Sequence, residues 1–196
     1  ELDPRDMDRY ARHLALPGWG KSGHQKIKKV SVLVVGLGGL GSVASLYLAM
    51  SGVGRIGLVD QDLVSLSNLQ RQVLYSTQDI GQPKALLAEK RLGEINPSIH
   101  LQPYHTRLTQ ETAFDLIKGY DLVLDGSDNF STRSILNQAC FELDKPYVYG
   151  AVNGFDGQVS VFHASRGPCL SCLFPKPAVF GTETVKEHLA VLNTVP

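Results

Sequence analysis

Residues 30–41 read V-S-V-L-V-V-G-L-G-G-L-G, from Val30 to Gly41, and the fold follows from this stretch. A run of β-branched and aliphatic residues without polar alternation predicts a strand buried on both faces. Gly36, Gly38 and Gly41 then fall in the spacing G-x-G-x-x-G, with an additional Gly39 inside it, and the apolar run Leu40 to Met50 predicts a helix beyond. Glycines in that pattern give a tight turn off the strand, let the backbone approach phosphate, and pack helix closely on sheet. Unpaired N–H groups and the positive dipole end at the helix start favour an anion. The next hydrophobic run, Arg55 to Val59, ends in Asp60, and an acid in that position accepts a ribose hydroxyl. Together they predict a nucleotide site.

Working outward, the polar stretch Q-D-L-V-S-L-S-N-L-Q-R-Q, ending at Gln72, predicts a loop from which Asn68, Arg71 and Gln72 reach back to the nucleotide. Pro83 in a first turn opens a helix over Lys84 to Ile95. A lysine at that place opposes the helix dipole unless an anion stands beside it, so Lys84 is either a solvated cation or a phosphate ligand. Strands are predicted over Ile99 to Tyr104, Tyr120 to Leu124, Tyr147 to Val152 and Gln158 to His163, with helices over Gln110 to Lys118 and Ser131 to Leu143. The short G-F-D-G connection makes the last strand antiparallel to its neighbour. The fourth strand ends in D-G-S-D-N, residues 125–129, where doubly wound sheets place their ligands. Asp128 there either binds a hard cation such as magnesium or, like Asn129, caps the following helix.

Before the first strand, M-D-R-Y-A-R-H-L carries a helical spacing with Met7, Tyr10 and Leu14 on one face and Arg9 and Arg12 on another. This predicts an amphipathic arm whose charged face is solvated or put to use, followed by a short helix over Ser22 to Lys28. Near the other end, Pro168-Cys169-Leu-Ser-Cys172 supplies half of a tetrahedral zinc site. Cys140 falls among apolar residues of a predicted helix and reads as buried core. With 196 residues, 43% hydrophobic and 19% charged, and with 19 basic against 19 acidic side chains, the chain reads as an ordinary globular protein. That balance leaves no electrostatic footprint for nucleic acid or a membrane surface. No apolar run reaches the roughly 18 residues of a spanning helix, and the acidic start is unlike a signal peptide. A cytoplasmic protein is expected.

These motifs agree in identity, order and spacing with one family. V-G-L-G-G-L-G-S, then D-x-D-x-V-x-x-S-N-L-x-R-Q ending at Gln72, G-Q-P-K ending at Lys84, I-N-P, D-G-S-D-N and P-C-x-x-C resemble the ThiF/MoeB family, relatives of the ubiquitin-activating enzymes that adenylate the C-terminus of a ubiquitin-like sulfur carrier. The resemblance covers about Arg9 to Cys172. It implies an α/β, Rossmann-like doubly wound sheet, mostly parallel with an antiparallel C-terminal extension. The implied division is an N-terminal helical arm over 1–29, a nucleotide-binding adenylation domain over 30–165, and a C-x-x-C segment and loop over 166–196. The implied activity is ATP-dependent adenylation of the terminal glycine carboxylate of a sulfur carrier with a Gly-Gly tail, by a homodimer. The rivals are an NAD-dependent oxidoreductase and the non-catalytic half of a heterodimeric activating enzyme.

Residue by residue, the resemblance implies that Gly36, Gly38, Gly39 and Gly41 form the phosphate turn and that Asp60 holds the ATP ribose. Asn68, Arg71 and Lys84 would contact the triphosphate, with Asp62, Gln72 and Asn129 completing the nucleotide shell. Asp128 would hold magnesium, and Arg12 would enter from the partner subunit, so that Arg12, Arg71, Lys84 and Asp128 form the catalytic set. Cys169 and Cys172 would bind zinc as a half site, since the second C-x-x-C usual in zinc-binding members does not occur in these 196 residues. Members commonly carry a cysteine after this motif, and Phe174 to Pro196 contains none, so the resemblance does not extend to thioester or persulfide chemistry there.

Overall fold

The structure is a computed structural model, and it describes residues 2–174. Three helices, α1 (Pro4–Arg9), α2 (Ala11–Leu14) and α3 (Gly20–Ile27), precede β1 (Ser31–Val35). The chain then alternates through α4 (Gly39–Ser51), β2 (Arg55–Val59), α5 (Lys84–Ile95), β3 (His100–Tyr104), α6 (Gln110–Ile117), β4 (Leu122–Asp125) and α7 (Phe130–Glu142) to β5 (Tyr147–Asn153). A hairpin to β6 (Asp156–Phe162) and the short α8 (Leu170–Leu173) complete it. The polar stretch after β2 forms loop and two single 3₁₀ turns, Leu66–Asn68 and Thr77–Asp79.

The six strands form one sheet in the order β3-β2-β1-β4-β5-β6, parallel except for the antiparallel β5–β6 pair. That is the expected doubly wound arrangement, and its direction of winding reverses between β1 and β4. Alternation along β1 divides the core. Val32 and Val34 pack with Ala49 of α4 and Ala85, Ala88 and Leu92 of α5 on one face. Leu33 and Val35 pack with Ala113 and Ile117 of α6 and Leu136, Ala139 and Cys140 of α7 on the other. Cys140 is core, as expected, and burial followed by the nearby Asp125 charge pushes its thiol up to about 12. Strand β6 begins two residues earlier than its composition predicts, because Asn153 pairs directly with Asp156 and leaves Gly154-Phe155 as a two-residue turn. The favoured two-residue hairpin turns suit the twist of the strands they join.

The arm departs from its expected form. The helical spacing from Met7 to Leu14 breaks at Tyr10, whose φ of −103° and ψ of 17° separate α1 from α2. The break turns Tyr10 inward until it is 2% exposed, with its hydroxyl accepting a 2.7 Å bond from the amide of buried Asn96. A side chain at Gly52, which closes α4 in the left-handed conformation (φ 82°), would meet that hydroxyl at 2.6 Å. Arg9 donates to the carbonyl of Ile95 at 2.9 Å, a cation on the negative end of α5, and buried Asp6 pairs with Lys28. The arm is therefore docked on the C-terminal ends of α4 and α5. The 13 residues of α4 put about 20 Å between this dock and the glycine turn.

Candidate nucleotide site

The carboxyl ends of β1, β2 and β4 meet where the sheet reverses, and the glycines are what let them meet. Gly36 has a φ of 83°, and a Cβ on it would lie 2.8 Å from the backbone of Gly126 and Ser127, at the end of β4. A Cβ on Gly41 would lie 1.8 Å from the carbonyl oxygen of Gly36, so the smallest side chain has no room there. Helix α4 starts from Gly38 without a side-chain cap, which leaves the first N–H groups of the helix as donors to an anion.

Asp60 ties the end of β2 to this turn. Its two carboxylate oxygens accept from the backbone N–H of Leu37 and of Asp62, each at 2.7 Å. Burial raises its pKa, opposed by those two hydrogen bonds and by Lys84. A carboxylate has about four acceptor positions, so Asp60 keeps capacity for a ribose hydroxyl while fixing the turn. Tyr75, unremarkable in the sequence, steadies the same place by donating to the carbonyl of Leu37 at 3.1 Å. Burial, with Asp60 and Asp62 beside it, lifts its phenol far above the ordinary range, so it acts as a neutral donor.

Of the three residues expected to reach back from the loop, the structure brings Arg71 and Gln72 over the turn. The side chain of Arg71 lies 3.5 Å from where a Cβ on Gly39 would stand, and that of Gln72 lies 3.5 Å from the same point on Gly38. Arg71 is held from behind by the carbonyl of Ser67 at 3.2 Å. Asn68 is half-buried, and its carbonyl accepts from the N–H of both Arg71 and Gln72 at 3.1 Å. Lys84 is neither solvated nor unopposed. It is 4% exposed, and its ammonium sits 3.1 Å from Asp62, which supplies the anion that the helix start requires. Asp62 thus orients Lys84, while its own side chain is 57% exposed.

At the end of β4 the two readings of Asp128 separate. Asn129 caps α7, accepting from the N–H of Thr132 at 2.9 Å. One lone pair of its oxygen is thereby used, and its amide N–H groups keep donor capacity. Asp128 is exposed and free of capping duty, and among the described residues its hydrogen-bond partner is the Asn129 amide at 3.4 Å. A monodentate carboxylate at the mouth of such a site is the donor type that magnesium takes. Among the described residues, Oε1 of Gln72 at the turn is buried without a hydrogen-bond partner, and Oγ of Ser127 is buried beside the Asp125 carboxylate. An orphaned polar atom of this kind is costly and fits a polar ligand in the cleft. Ser127 was not singled out by its sequence context, and no signal there distinguishes it from any serine in a turn.

Arg12 is exposed on α2, two residues after Tyr10, which is docked at the far end of α4, and the chain does not bring it to the turn. Cys169 and Cys172 stand 3.6 Å apart at the start of α8, close to the ~3.8 Å edge of a tetrahedron with zinc–sulfur bonds near 2.3 Å. Burial pushes the Cys169 thiol up, but hydrogen bonds from Cys172 and from the Ser171 backbone outweigh it, and the net shift is downward. Among the described residues no cluster of three or more metal-ligating side chains occurs, and no helix is long and apolar enough to cross a membrane.

Known proteins resemble this chain in sequence and in fold. The profile of the ThiF family matches residues 10–195. A sulfur carrier protein adenylyltransferase of Thermus thermophilus is 48% identical over 196 residues, covering 97% of this chain and 72% of that protein. An adenylyltransferase and sulfurtransferase MOCS3 of Danio rerio is 44% identical, covering 100% of this chain and 42% of the relative. The chain therefore spans less than half of that longer relative. Among solved structures, E. coli tRNA N6-threonylcarbamoyladenosine dehydratase, TcdA, in complex with ATP, is similar with a TM-score of 0.75 and 27% identity, over 80% of this chain and 64% of that one.

Proposed function

The chain belongs to the ThiF family, and from that premise we propose that it uses ATP to adenylate the C-terminal glycine of a ubiquitin-like sulfur-carrier protein with a Gly-Gly tail. The observation that carries the proposal is a glycine turn, closed to side chains at Gly36 and Gly41, with Arg71 folded over Gly39, Lys84 buried beside Asp62, and Asp128 one residue beyond the Ser127 backbone that packs on Gly36. The relatives' names, adenylyltransferases of sulfur carriers among them, support the substrate class.

In this reading the carrier's terminal carboxylate attacks the α-phosphorus, a C–O–P bond forms, and the bond to the β-phosphate breaks to release pyrophosphate. A carboxylate of pKa about 3.5 is already ionised at neutral pH, so no general base is needed. The work of the site is positioning and charge neutralisation. The turn and the start of α4 bind phosphate, Asp60 orients the ribose, and Arg71 and Lys84 neutralise the triphosphate. Lys84, released from Asp62 as the nucleotide enters, keeps an anionic partner throughout. A magnesium ion held by Asp128 would add a further positive charge against the phosphates.

An NAD-dependent oxidoreductase shares the glycine turn and Asp60 but leaves the buried Lys84 and the folded-back Arg71 without a role. Calorimetric titration separates the two readings. ATP with magnesium should bind and NAD should not; binding of NAD with no response to ATP would sink the proposal. An inactive partner subunit is disfavoured by the intact set Arg71, Lys84 and Asp128.

Zinc at Cys169 and Cys172 would be incompletely liganded by this chain, which has one other cysteine, Cys140, buried in α7. Metal analysis of the 196-residue protein should find well under one zinc per chain. A stoichiometric, chelator-resistant zinc would mean that other side chains complete the site. The protein is proposed to act in the cytoplasm, without nucleic acid or membrane, as a homodimer whose two sites are shared.

A further inference from the structure

Asp128 is exposed and has little to hold it, yet the backbone immediately before it is fastened on both sides. The N–H of Ser127 donates to Asp125 Oδ1 at 2.8 Å. Its carbonyl accepts from Arg133 Nη2 at 2.9 Å. Asp125 is held in turn by the Tyr147 hydroxyl, which donates to its other oxygen at 2.6 Å, and its side chain is fully buried. Arg133 comes from one turn inside α7, lies with its guanidinium carbon 5.3 Å over the ring of Tyr149, and stands 3.9 Å from Asp125.

We propose that Arg133 is a positioning residue for Asp128: it holds the peptide group between Ser127 and Asp128 while Asp125 holds the one before it, and so presents the Asp128 carboxylate to the cation in one orientation. The inference rests on the reading of Asp128 as a magnesium ligand. Its physical basis is that a buried ion pair is weak evidence for stability by itself. Applied to the two successive peptide groups that flank the Ser127 Cα, however, the pair removes in advance the ordering cost that a flexible loop incurs when it binds. Supporting shells of this kind fix the geometry of a site more than its own side chains do. The aromatic face of Tyr149 holds the guanidinium plane, so the fork of Arg133 is aimed before any ligand arrives.

The test compares wild type with Arg133→Met, which keeps the aliphatic stem on Tyr149, and Arg133→Lys, which keeps the charge and a donor. Amide hydrogen exchange over residues 126–129 is read in protein free of metal and nucleotide. Binding of Mn²⁺ is read by electron paramagnetic resonance with a non-hydrolysable ATP analogue. Arg133→Met should exchange faster at this loop but not in β1 or β2, and should bind Mn²⁺ about tenfold more weakly, the lower end of outer-shell effects at metal sites. Binding of the analogue without metal should be unchanged, and Arg133→Lys should fall between the two. Wild-type exchange at the loop, or unchanged Mn²⁺ affinity, overturns the inference, as does faster exchange throughout the sheet, which would mark a packing role. A wild-type protein that binds the analogue but no Mn²⁺ would overturn the cation reading of Asp128, and this inference with it; that failure shows in the wild type, not in the variants.

Discussion

Asp128→Ala should fold normally and lose about a hundred- to a thousand-fold in the rate of pyrophosphate exchange. The fold should survive because Asp128 is exposed, and the cap of α7 belongs to its neighbour Asn129. The loss follows from removing the anchor of a charge that opposes the phosphates as the α–β bond breaks; one oriented electrostatic contact in such a site is worth roughly 3–4 kcal/mol. Exchange kinetics and thermal unfolding on the same preparation check both halves. An unchanged melting temperature with near-normal exchange would reduce Asp128 to an ordinary turn residue. A large fall in melting temperature would contradict the assignment of the cap to Asn129.

The second large effect concerns Arg12. Tyr10, two residues away, is locked between Gly52 and Asn96, at the end of α4 remote from the glycine turn, so the arm of one protomer does not serve its own site. The proposal is that it serves the partner's. An exposed apolar stripe on α4, Val43, Tyr47 and Met50, together with Val159 and Val161 on the open face of β6, offers surface for a second copy. An arginine supplied across an interface can contribute several orders of magnitude in phosphoryl transfer, and its planar fork matches phosphate oxygens without titrating. Arg12→Ala and Asp128→Ala proteins should each be inactive alone. Mixed under conditions where subunits exchange, they should recover about a quarter of wild-type activity, since half the dimers are mixed and each mixed dimer has one complete site. A mixture that stays inactive with exchange verified, or a fully active wild-type monomer, would show that Arg12 does not act across an interface.

The succession of strands and helices and the antiparallel return of β6 could be read from hydrophobic runs, glycine spacing and a short connection because these are local and periodic, whereas the strand order is long-range and comes from the structure. The glycine turn was legible because it is likewise local. Side-chain contacts between distant segments were not. Asn96 reads in sequence as a helix end before proline, whereas in the structure it donates to Tyr10 and to the carbonyl of Ala49 at 2.6 Å and so docks the arm. The break at Tyr10 was hidden because its helical spacing is intact, and the pull of a buried partner overrides that spacing. Lys84 drew attention by its clash with the helix dipole, but the answer, Asp62, lies 22 positions back. Between Asp128 and Asn129 local pattern has no preference, and the capping geometry decides. Arg133, Tyr147 and Tyr75 carry no motif; Arg133 and Tyr75 bond the backbone carbonyls of Ser127 and Leu37, and Tyr147 bonds the Asp125 carboxylate.

The central claim is tested most directly by exchange of labelled pyrophosphate into ATP, measured with magnesium across a panel of purified ubiquitin-like sulfur carriers. Exchange should require a carrier ending in Gly-Gly and should vanish when the terminal carboxylate is amidated, since that group is the nucleophile. Exchange that proceeds equally well without any carrier, or that is absent with every carrier while ATP binds normally, would contradict adenylation of a carrier terminus.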